Sequence, residues 1–217
     1  MGVLLMLMTI GGLITAMIML VIATVTKKAW LAKFTIGGVA VWLVFYAVML
    51  LGFSLASSEK TLSVKEPKAF CGFYLDCHMH AVVAGVSPTK RIGDRIAKGD
   101  FYIVAINVFS DAKNPNIAFR LIEPKVVVLD ENGVRFPRDL ETEALLSTAS
   151  VDIGQDIRGR QIIQKELVFD LPDNIKSGRL DIREGYGIDH AIEAVLIDDE
   201  DSILHKRIYL DISPPVL

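Results

Sequence analysis

The chain opens with two long apolar runs, residues 3–25 and 34–56, and neither contains an ionisable side chain. A bilayer core about 30 Å thick needs about 20 apolar residues at a rise of 1.5 Å each, so each run is long enough to cross it with some tilt. A helix is also the way in which a single segment satisfies its backbone groups in lipid. The pattern therefore predicts two transmembrane helices joined by a short loop, residues 26–33.

The basic residues predict how this hairpin is oriented. Lys27, Lys28 and Lys33 are the three basic residues among the first 58, and all lie in the predicted loop. Cytoplasmic loops carry the Lys/Arg excess, so the loop is expected in the cytoplasm and both termini on the periplasmic side of an inner membrane. The first run has no basic residue before it and exceeds the apolar core of a secretory signal, so we expect a retained anchor in a multi-pass protein.

After residue 58 the pattern changes to the alternation of β-strands. Residues 101–110 are apolar on both faces, which predicts a central strand. Asn132-Gly133 between two alternating runs predicts a hairpin. Residues 87–99 are expected to form a basic loop and residues 140–146 a short helix. The further predicted strands are residues 61–64, 77–86, 125–130, 134–137, 161–171, 179–183, 192–198 and 204–212.

Eight or nine short strands separated by turn signals predict an immunoglobulin-like antiparallel β-sandwich, with a β-barrel as the alternative. The predicted domains are a transmembrane hairpin, residues 1–58, and an extracytoplasmic sandwich, residues 59–217. The second domain holds 20 basic against 26 acidic residues. Without a basic stripe, nucleic acid is not an expected partner.

The order of signals in the second half resembles a known family. Strand 101–110 is followed by a hairpin with the turn Asp-Glu-Asn-Gly, then by the strand Gln-Lys-Glu-Leu-Val-Phe-Asp-Leu-Pro (residues 164–172) and a closing strand. This order, over residues 101–212, resembles the immunoglobulin-like domains of unknown function found on bacterial lipoproteins and membrane-anchored proteins. The resemblance implies a fold and a compartment and no catalytic residue. The two-helix hairpin departs from the single anchor usual in such proteins.

Both cysteines, Cys71 and Cys77, lie in the part of the chain predicted to be outside the cytoplasm. Cysteines in an oxidising compartment favour one disulfide. The two Cα atoms must then approach within about 4.4–6.8 Å, which requires the chain to bend between them, and Gly72 could supply the bend. A redox-active thiol pair is less favoured because the spacing is not Cys-x-x-Cys.

A copper or zinc site is the alternative for the same stretch. Cys71, Cys77, His78 and His80 offer the sulfur and imidazole ligands that these metals take, with His190 or His205 available to complete the set. In an extended segment His78 and His80 face the same way. The acidic residues 198–201 offer oxygen ligands for calcium, although a solvated turn explains them better.

The two apolar runs also carry small residues at helical spacing, which permit close helix packing. These residues are Gly11, Gly12, Thr15, Ala16, Gly37 and Gly38. They are expected to pack the two helices on each other and to leave a face for a membrane partner. The absence of ionisable residues from both runs argues against a transport path or an intramembrane active site.

Taken together, these patterns favour a non-enzymatic accessory or scaffolding subunit of a membrane complex, in contact with the bilayer and a membrane-protein partner. The alternative is a membrane-tethered periplasmic copper or zinc carrier that uses the Cys71–His80 stretch. A periplasmic enzyme is the third hypothesis, and no Gly-x-Ser-x-Gly, Ser-x-x-Lys or glycine-rich phosphate motif supports it.

Overall fold

A computed structural model describes residues 2–72, 76–173, 175 and 177–213. The chain forms two compact units. The first comprises Met1–Ser58 together with Ile188–Arg207, and the second comprises Glu59–Gly187 together with Ile208–Leu217.

The two apolar runs form helices α1, Gly2–Val25, and α2, Ala29–Ala56. The connecting turn is shorter than the predicted loop, because the helix already begins at Ala29 and includes Lys33. Lys27 adopts a left-handed conformation with φ 53°, which lets the chain reverse within a few residues. The indole Nε1 of Trp42 donates a hydrogen bond to Thr9 Oγ1 over 3.0 Å and links the two helices.

Four strands of the second unit form one sheet in the order β2–β3–β4–β9. Their bounds are Lys68–Gly72, Asp76–Ile92, Arg95–Ser110 and Ile162–Leu171. Strand β4 lies between β3 and β9, as predicted for a strand that is apolar on both faces.

The predicted loop at residues 87–99 is wrong, since β3 and β4 continue as a long hairpin through most of it. Strand β2 pairs with β3 as far as Ala81, so β3 has an open edge at Pro88 in the described residues. A proline is tolerated on an edge strand because its missing N–H interrupts no ladder there.

The other large sheet has the order β1–β11–β10–β6–β7, with β1 parallel to β11 and the other pairs antiparallel. These strands are Lys60–Leu62, Ile208–Asp211, Arg179–Arg183, Lys125–Leu129 and Arg135–Pro137. The predicted Asn-Gly hairpin is confirmed between β6 and β7, where Gly133 has φ 79°. Two short strands, β5 (Ala118–Phe119) and β8 (Ile157–Arg158), pair separately.

The two large sheets bury one shared core. Tyr102, Val104, Ile106 and Val108 from alternate positions of β4 are buried in the same cluster as Leu180 of β10. Members of that cluster also come from β6, β9 and β11. Two separate sheets facing one core make a β-sandwich, so the predicted sandwich is confirmed and the barrel alternative is not.

A short helix, α3 (Leu140–Glu143), follows β7, within the stretch predicted to be helical. Asp139 caps it by accepting a hydrogen bond from the backbone N–H of Thr142 over 3.0 Å. Glu143 points into the protein and pairs with Lys165 of β9 over 3.1 Å. This ion pair holds α3 against the sheet.

Residues 192–198 do not form the predicted strand. The chain forms helix α4, Gly187–Glu193, followed by turns, and the last strand begins at Ile208 rather than at residue 204. Leu196 and Ile197 are buried in the first unit rather than in the sandwich. A short apolar run does not distinguish a strand from other buried segments, which explains the error.

Candidate functional site

Cys71 on β2 and Cys77 on β3 are joined by a disulfide, with their Cα atoms 4.0 Å apart. The predicted bridge is therefore present in the structure. It forms because β2 and β3 run antiparallel and bring the ends of the stretch together, with Ala69 opposite His80 and Phe70 opposite Met79. Residues 73–75, between the two cysteines, lie outside the described residues.

The bridge changes what this stretch can bind. The metal alternative needs cysteine thiolates, and both sulfur atoms are bonded to each other. The imidazoles of His78 and His80 remain on one face of β3, as predicted from the alternation, while Met79 and Ala81 face the core. In the disulfide form, the nitrogen ligands are present without the sulfur ligands.

Both histidines approach one carboxylate, that of Asp111. His78 Nδ1 lies 2.6 Å from Asp111 Oδ1, and His80 Nε2 lies 3.3 Å from Asp111 Oδ2. Asp111 directly follows β4 and donates its backbone N–H to the carbonyl of His78 over 3.1 Å. The hydrogen bond from His78, with a smaller effect of His80, lowers the pKa of the Asp111 carboxyl below its ordinary value.

Aromatic rings flank this cluster. The ring of His80 stacks on Phe109 with centroids 5.2 Å apart, and the ring of His78 lies 5.5 Å from that of Phe119. The Nε2 atom of His80 is buried and lacks a well-aligned hydrogen bond to the described residues, despite its proximity to Asp111. The cluster holds two imidazoles against one carboxylate.

Sequence reasoning did not identify Asp111 as part of a site. Its partners are 33 and 31 positions earlier, so the pairing follows only from the register in which Met79 opposes Ser110. One signal for this pairing was available in the sequence. Asp111 directly follows a predicted strand, and the preceding predicted strand contains a His-x-His pattern at His78 and His80.

The other two histidines, His190 and His205, belong to the first unit. His190 Nδ1 lies 3.2 Å from Glu193 Oε2, and one ligand atom each of His190, Glu193 and Asp201 come within 4.8 Å of one another. Arg207 pairs with Asp201 over 3.2 Å. The acidic residues 198–201 form hydrogen-bonded turns, in which Asp199 Oδ1 accepts from the N–H of Asp201.

Burial raises the pKa of the Asp199 carboxyl above its ordinary value, and neighbouring acidic groups add to the shift. Burial also raises the pKa of Glu193, partly offset by its hydrogen bond with His190. Both groups therefore resist ionisation more than free carboxyls do.

The four glycines among the small residues of the hairpin have no close contact with the opposite helix. Among the described residues, no atom outside each helix's own backbone lies within 4 Å of where a Cβ of Gly11, Gly12, Gly37 or Gly38 would be. Gly12 and Gly38 instead line an open apolar groove of about 410 Å³ between the helices. The other lining residues include Thr15, Ala16 and Met19 of α1 and Phe34, Val39 and Trp42 of α2.

Both helices are long and apolar enough to cross a membrane by length and composition. In the most apolar 18-residue stretch of each helix, 11% of the residues are buried. A core helix of a soluble protein buries most of such a stretch, so these helices present their apolar side chains outward.

Three solved structures show weak structural similarity to the chain. A conserved hypothetical protein from Bacillus anthracis is 12% identical, with a TM-score of 0.40 over 56% of this chain and 93% of that protein. An uncharacterised β-sandwich protein from Clostridium difficile 630 is 8% identical, with a TM-score of 0.38 over 72% of this chain and 96% of that one. The secreted protein MPT63 from Mycobacterium tuberculosis is 10% identical, with a TM-score of 0.38 over 60% of this chain and 100% of that protein.

No protein-family model matches the sequence, and no curated protein matches it. The structural similarities are too low to carry an argument, so the sandwich assignment rests on the two sheets and their shared core.

Proposed function

We propose that this protein is a non-enzymatic accessory subunit of a membrane complex, anchored by α1 and α2 and carrying its sandwich outside the cytoplasm. At 1.5 Å per residue, 24 and 28 residues extend about 36 and 42 Å. Both lengths exceed the bilayer core of about 30 Å, so each helix can span it with tilt or with its ends in the headgroups.

The compartment follows from two features in combination. The hairpin turn carries Lys27 and Lys28, with Lys33 in the first turns of α2, and short basic loops stay in the cytoplasm. The start of α1 and the end of α2 then face the opposite side. The Cys71–Cys77 disulfide fits that side, because disulfides persist in oxidising compartments.

We assign the sandwich to the immunoglobulin type from its strand neighbours. The order β3–β4–β9 in one sheet corresponds to A–B–E, and β11–β10–β6–β7 in the other corresponds to G–F–C–C′. Strands β2 and β1 extend the two sheets at their edges. By analogy of fold alone, the loops and sheet faces of such a sandwich are surfaces that a protein partner could use.

The open groove between α1 and α2 is the observation that carries the proposal. In lipid, helices associate through close packing at small residues, since burial of apolar surface alone gives no advantage over lipid tails. Gly12, Thr15, Ala16 and Gly38 line the groove and leave it unfilled by the hairpin itself. A helix of a partner protein would fill it.

Site-specific photo-crosslinking in native membranes tests this role. A photoreactive residue at Ala16, in the groove, is expected to form an adduct with one defined polypeptide. The same residue at Val44, an exposed α2 position outside the groove, is the matched control and is expected to label lipid. Gly38→Leu fills the groove and is expected to abolish the Ala16 adduct without preventing membrane insertion. If Ala16 and Val44 both label only lipid, the accessory-subunit proposal is wrong.

The topology is tested separately with reporter fusions. Alkaline phosphatase, which requires an oxidising compartment, is expected to be active when fused after Ser58 and inactive when fused after Lys28. The reverse pattern would contradict the orientation.

A copper or zinc carrier remains the second candidate because His78, His80 and Asp111 converge beside the disulfide. Reduction would free the Cys71 and Cys77 thiols next to these nitrogen ligands. Thiol titration and metal analysis of the purified protein separate the two functions. Two unreactive cysteines without bound metal contradict the carrier. Stoichiometric metal that a folded Cys77→Ser variant loses would contradict a purely structural disulfide.

A further inference from the structure

The segment Ile188–Arg207, which the sequence pattern placed in the outer domain, packs against the hairpin instead. The hydroxyl of Tyr46 on α2 donates a hydrogen bond to the carbonyl of Val195 over 2.7 Å. At the start of α1, a Cβ on Gly2 would overlap the carbonyl oxygen of Ile197. Lys206 donates its backbone N–H to Ser57 Oγ over 2.8 Å. The segment therefore lies along the end of the hairpin where α1 begins and α2 ends.

Only part of the segment's apolar surface is buried by these contacts. Leu196 and Ile197 are 3% and 4% exposed, so they face the interior of the first unit. Other large apolar side chains of the same segment point outward: Ile188, Val195, Ile203 and Leu204 are 71%, 46%, 52% and 60% exposed. These four large apolar side chains are therefore not covered by the contacts within the first unit.

The bond between Tyr46 and Val195 gives the depth of the segment. Tyr46 precedes the end of α2 by ten residues, about 15 Å along the helix axis. A centred helix of about 42 Å leaves about 6 Å outside each face of a 30 Å core. Tyr46 is then about 9 Å inside the edge of that core, whereas Gly2, at the start of an α1 about 36 Å long, is about 3 Å outside it. The segment contacts both residues and so lies across the boundary where interfacial segments lie.

The backbone of the segment is suited to such a depth. Consecutive carbonyls after α4 each have a partner: Ala194 accepts from the N–H of Ile203 over 3.0 Å, Val195 from Tyr46, and Leu196 from the Ser202 hydroxyl. At a solvated surface water would serve these carbonyls, whereas in the acyl region each unpaired one costs several kcal/mol. The pairing of three successive non-helical carbonyls is what a lipid-facing loop requires.

We infer that Ile188–Arg207 is an interfacial membrane element, whose exposed apolar side chains enter the boundary between lipid headgroups and acyl chains. The occupant of this surface is lipid, because the segment packs on one end of a hairpin whose apolar side chains face outward. The inference rests on the proposed membrane insertion of the hairpin. Together with α1 and α2, the segment gives the protein a third point of attachment to the bilayer.

Fluorescence quenching on the full-length protein in phosphatidylcholine–phosphatidylglycerol vesicles tests the inference. The disulfide occupies both native cysteines, so single cysteines can be labelled without reductant. Labels at Val195 and Leu204 probe the segment. A label at Val48 of α2, 64% exposed, reports hairpin insertion, and one at Ile96 of β4, 65% exposed, is the matched control on the sandwich.

Val48, Val195 and Leu204 are expected to lose most of their emission with brominated lipid and little with aqueous iodide, and Ile96 the reverse. If Val48 is quenched by brominated lipid while Val195 and Leu204 are quenched by iodide, the interfacial inference is overturned and the hairpin anchor stands. If Val48 is also quenched by iodide, the membrane proposal itself fails. Labels at Val195 and Leu204 that iodide quenches in vesicles but not in native membranes would assign the surface to a protein partner, which also overturns the inference.

Discussion

Replacing Glu143 by leucine removes the carboxylate that neutralises a buried lysine. The side chains of Glu143 and Lys165 are each 4% exposed, and Glu143 Oε1 lies 3.1 Å from Lys165 Nζ. The ammonium also donates to the carbonyls of Thr148 and Ala149 over 2.9 and 3.0 Å. Arg138 donates its Nε–H to Glu143 Oε2 over 3.0 Å, so one carboxylate serves two cations.

Glu143→Leu leaves the Lys165 charge buried with carbonyl oxygens as its remaining partners. Removing one partner of a buried pair costs about 3–5 kcal/mol of unfolding free energy, because the other charge stays desolvated. For a domain of this size each kcal/mol lowers Tm by about 2–4 °C, so a fall of about 6–20 °C is expected. This loss is a large share of the stability of an ordinary domain.

Thermal unfolding followed by the far-UV β-sheet signal measures this effect in the full-length protein. Tryptophan fluorescence would not, since Trp30 and Trp42 both lie in the hairpin. The double variant Glu143→Leu/Lys165→Met removes both charges and is expected to recover much of the loss. The matched surface control is Glu66→Ala, which breaks the exposed Lys60–Glu66 pair and should change Tm little. Two results would refute the reasoning: a Tm of Glu143→Leu equal to that of the wild type, or a double variant with a Tm no higher than that of Glu143→Leu.

Three further predictions concern the disulfide, a glycine contact and pH. The double variant Cys71→Ser/Cys77→Ser is expected to lose about 2 kcal/mol of unfolding free energy, from the loop-entropy relation for a loop of about seven residues. Urea unfolding with and without reductant measures this loss, and the wild type under reductant should match the variant. Gly99→Ala places a Cβ against the Leu171 carbonyl and should cost about 1–3 kcal/mol, whereas Gly85→Ala, with no described atom within 4 Å, should cost less in the same assay. Because burial raises the pKa of Glu193 and Asp199, the docked segment binds protons more tightly than the undocked chain. The packing of residues 188–207 on the hairpin should therefore become more stable as the pH falls through the raised pKa values of Glu193 and Asp199 toward the ordinary carboxyl pKa. It should be less stable at a pH above the raised pKa values. Asp199→Asn should increase the hydrogen-exchange protection of residues 194–203 at neutral pH and make that protection less dependent on pH. If the pH dependence of the protection is unchanged in this variant, Asp199 is not its source.

Local patterns in the sequence were sufficient for features in which each residue's environment follows from its neighbours in the chain. The length of the two apolar runs predicted both helices, and alternation predicted the faces of β4 and of the His78–Ala81 stretch. Asn132-Gly133 predicted its hairpin because few residues other than glycine adopt the required backbone conformation. The disulfide followed from compartment and count, before any geometry was known.

Register and long-range packing decided the remaining features. Asp111 joins His78 and His80 because β3 and β4 pair with Met79 opposite Ser110, and a shift of one residue would separate them. Gly12, Thr15, Ala16 and Gly38 line an open groove between the helices, and which residues line it depends on how the helices rotate about their axes. Residues 192–198 resemble a strand in their hydrophobicity, yet they turn against the hairpin.

The sequence alone therefore determined the two apolar helices, the faces of the main strands and the Asn-Gly turn, because burial of apolar side chains and satisfaction of backbone groups are local requirements. Which surfaces cover them, and which polar groups meet as a result, was decided only in the tertiary structure. Those contacts join residues as far apart as Tyr46 and Val195, and no local pattern contains that pairing.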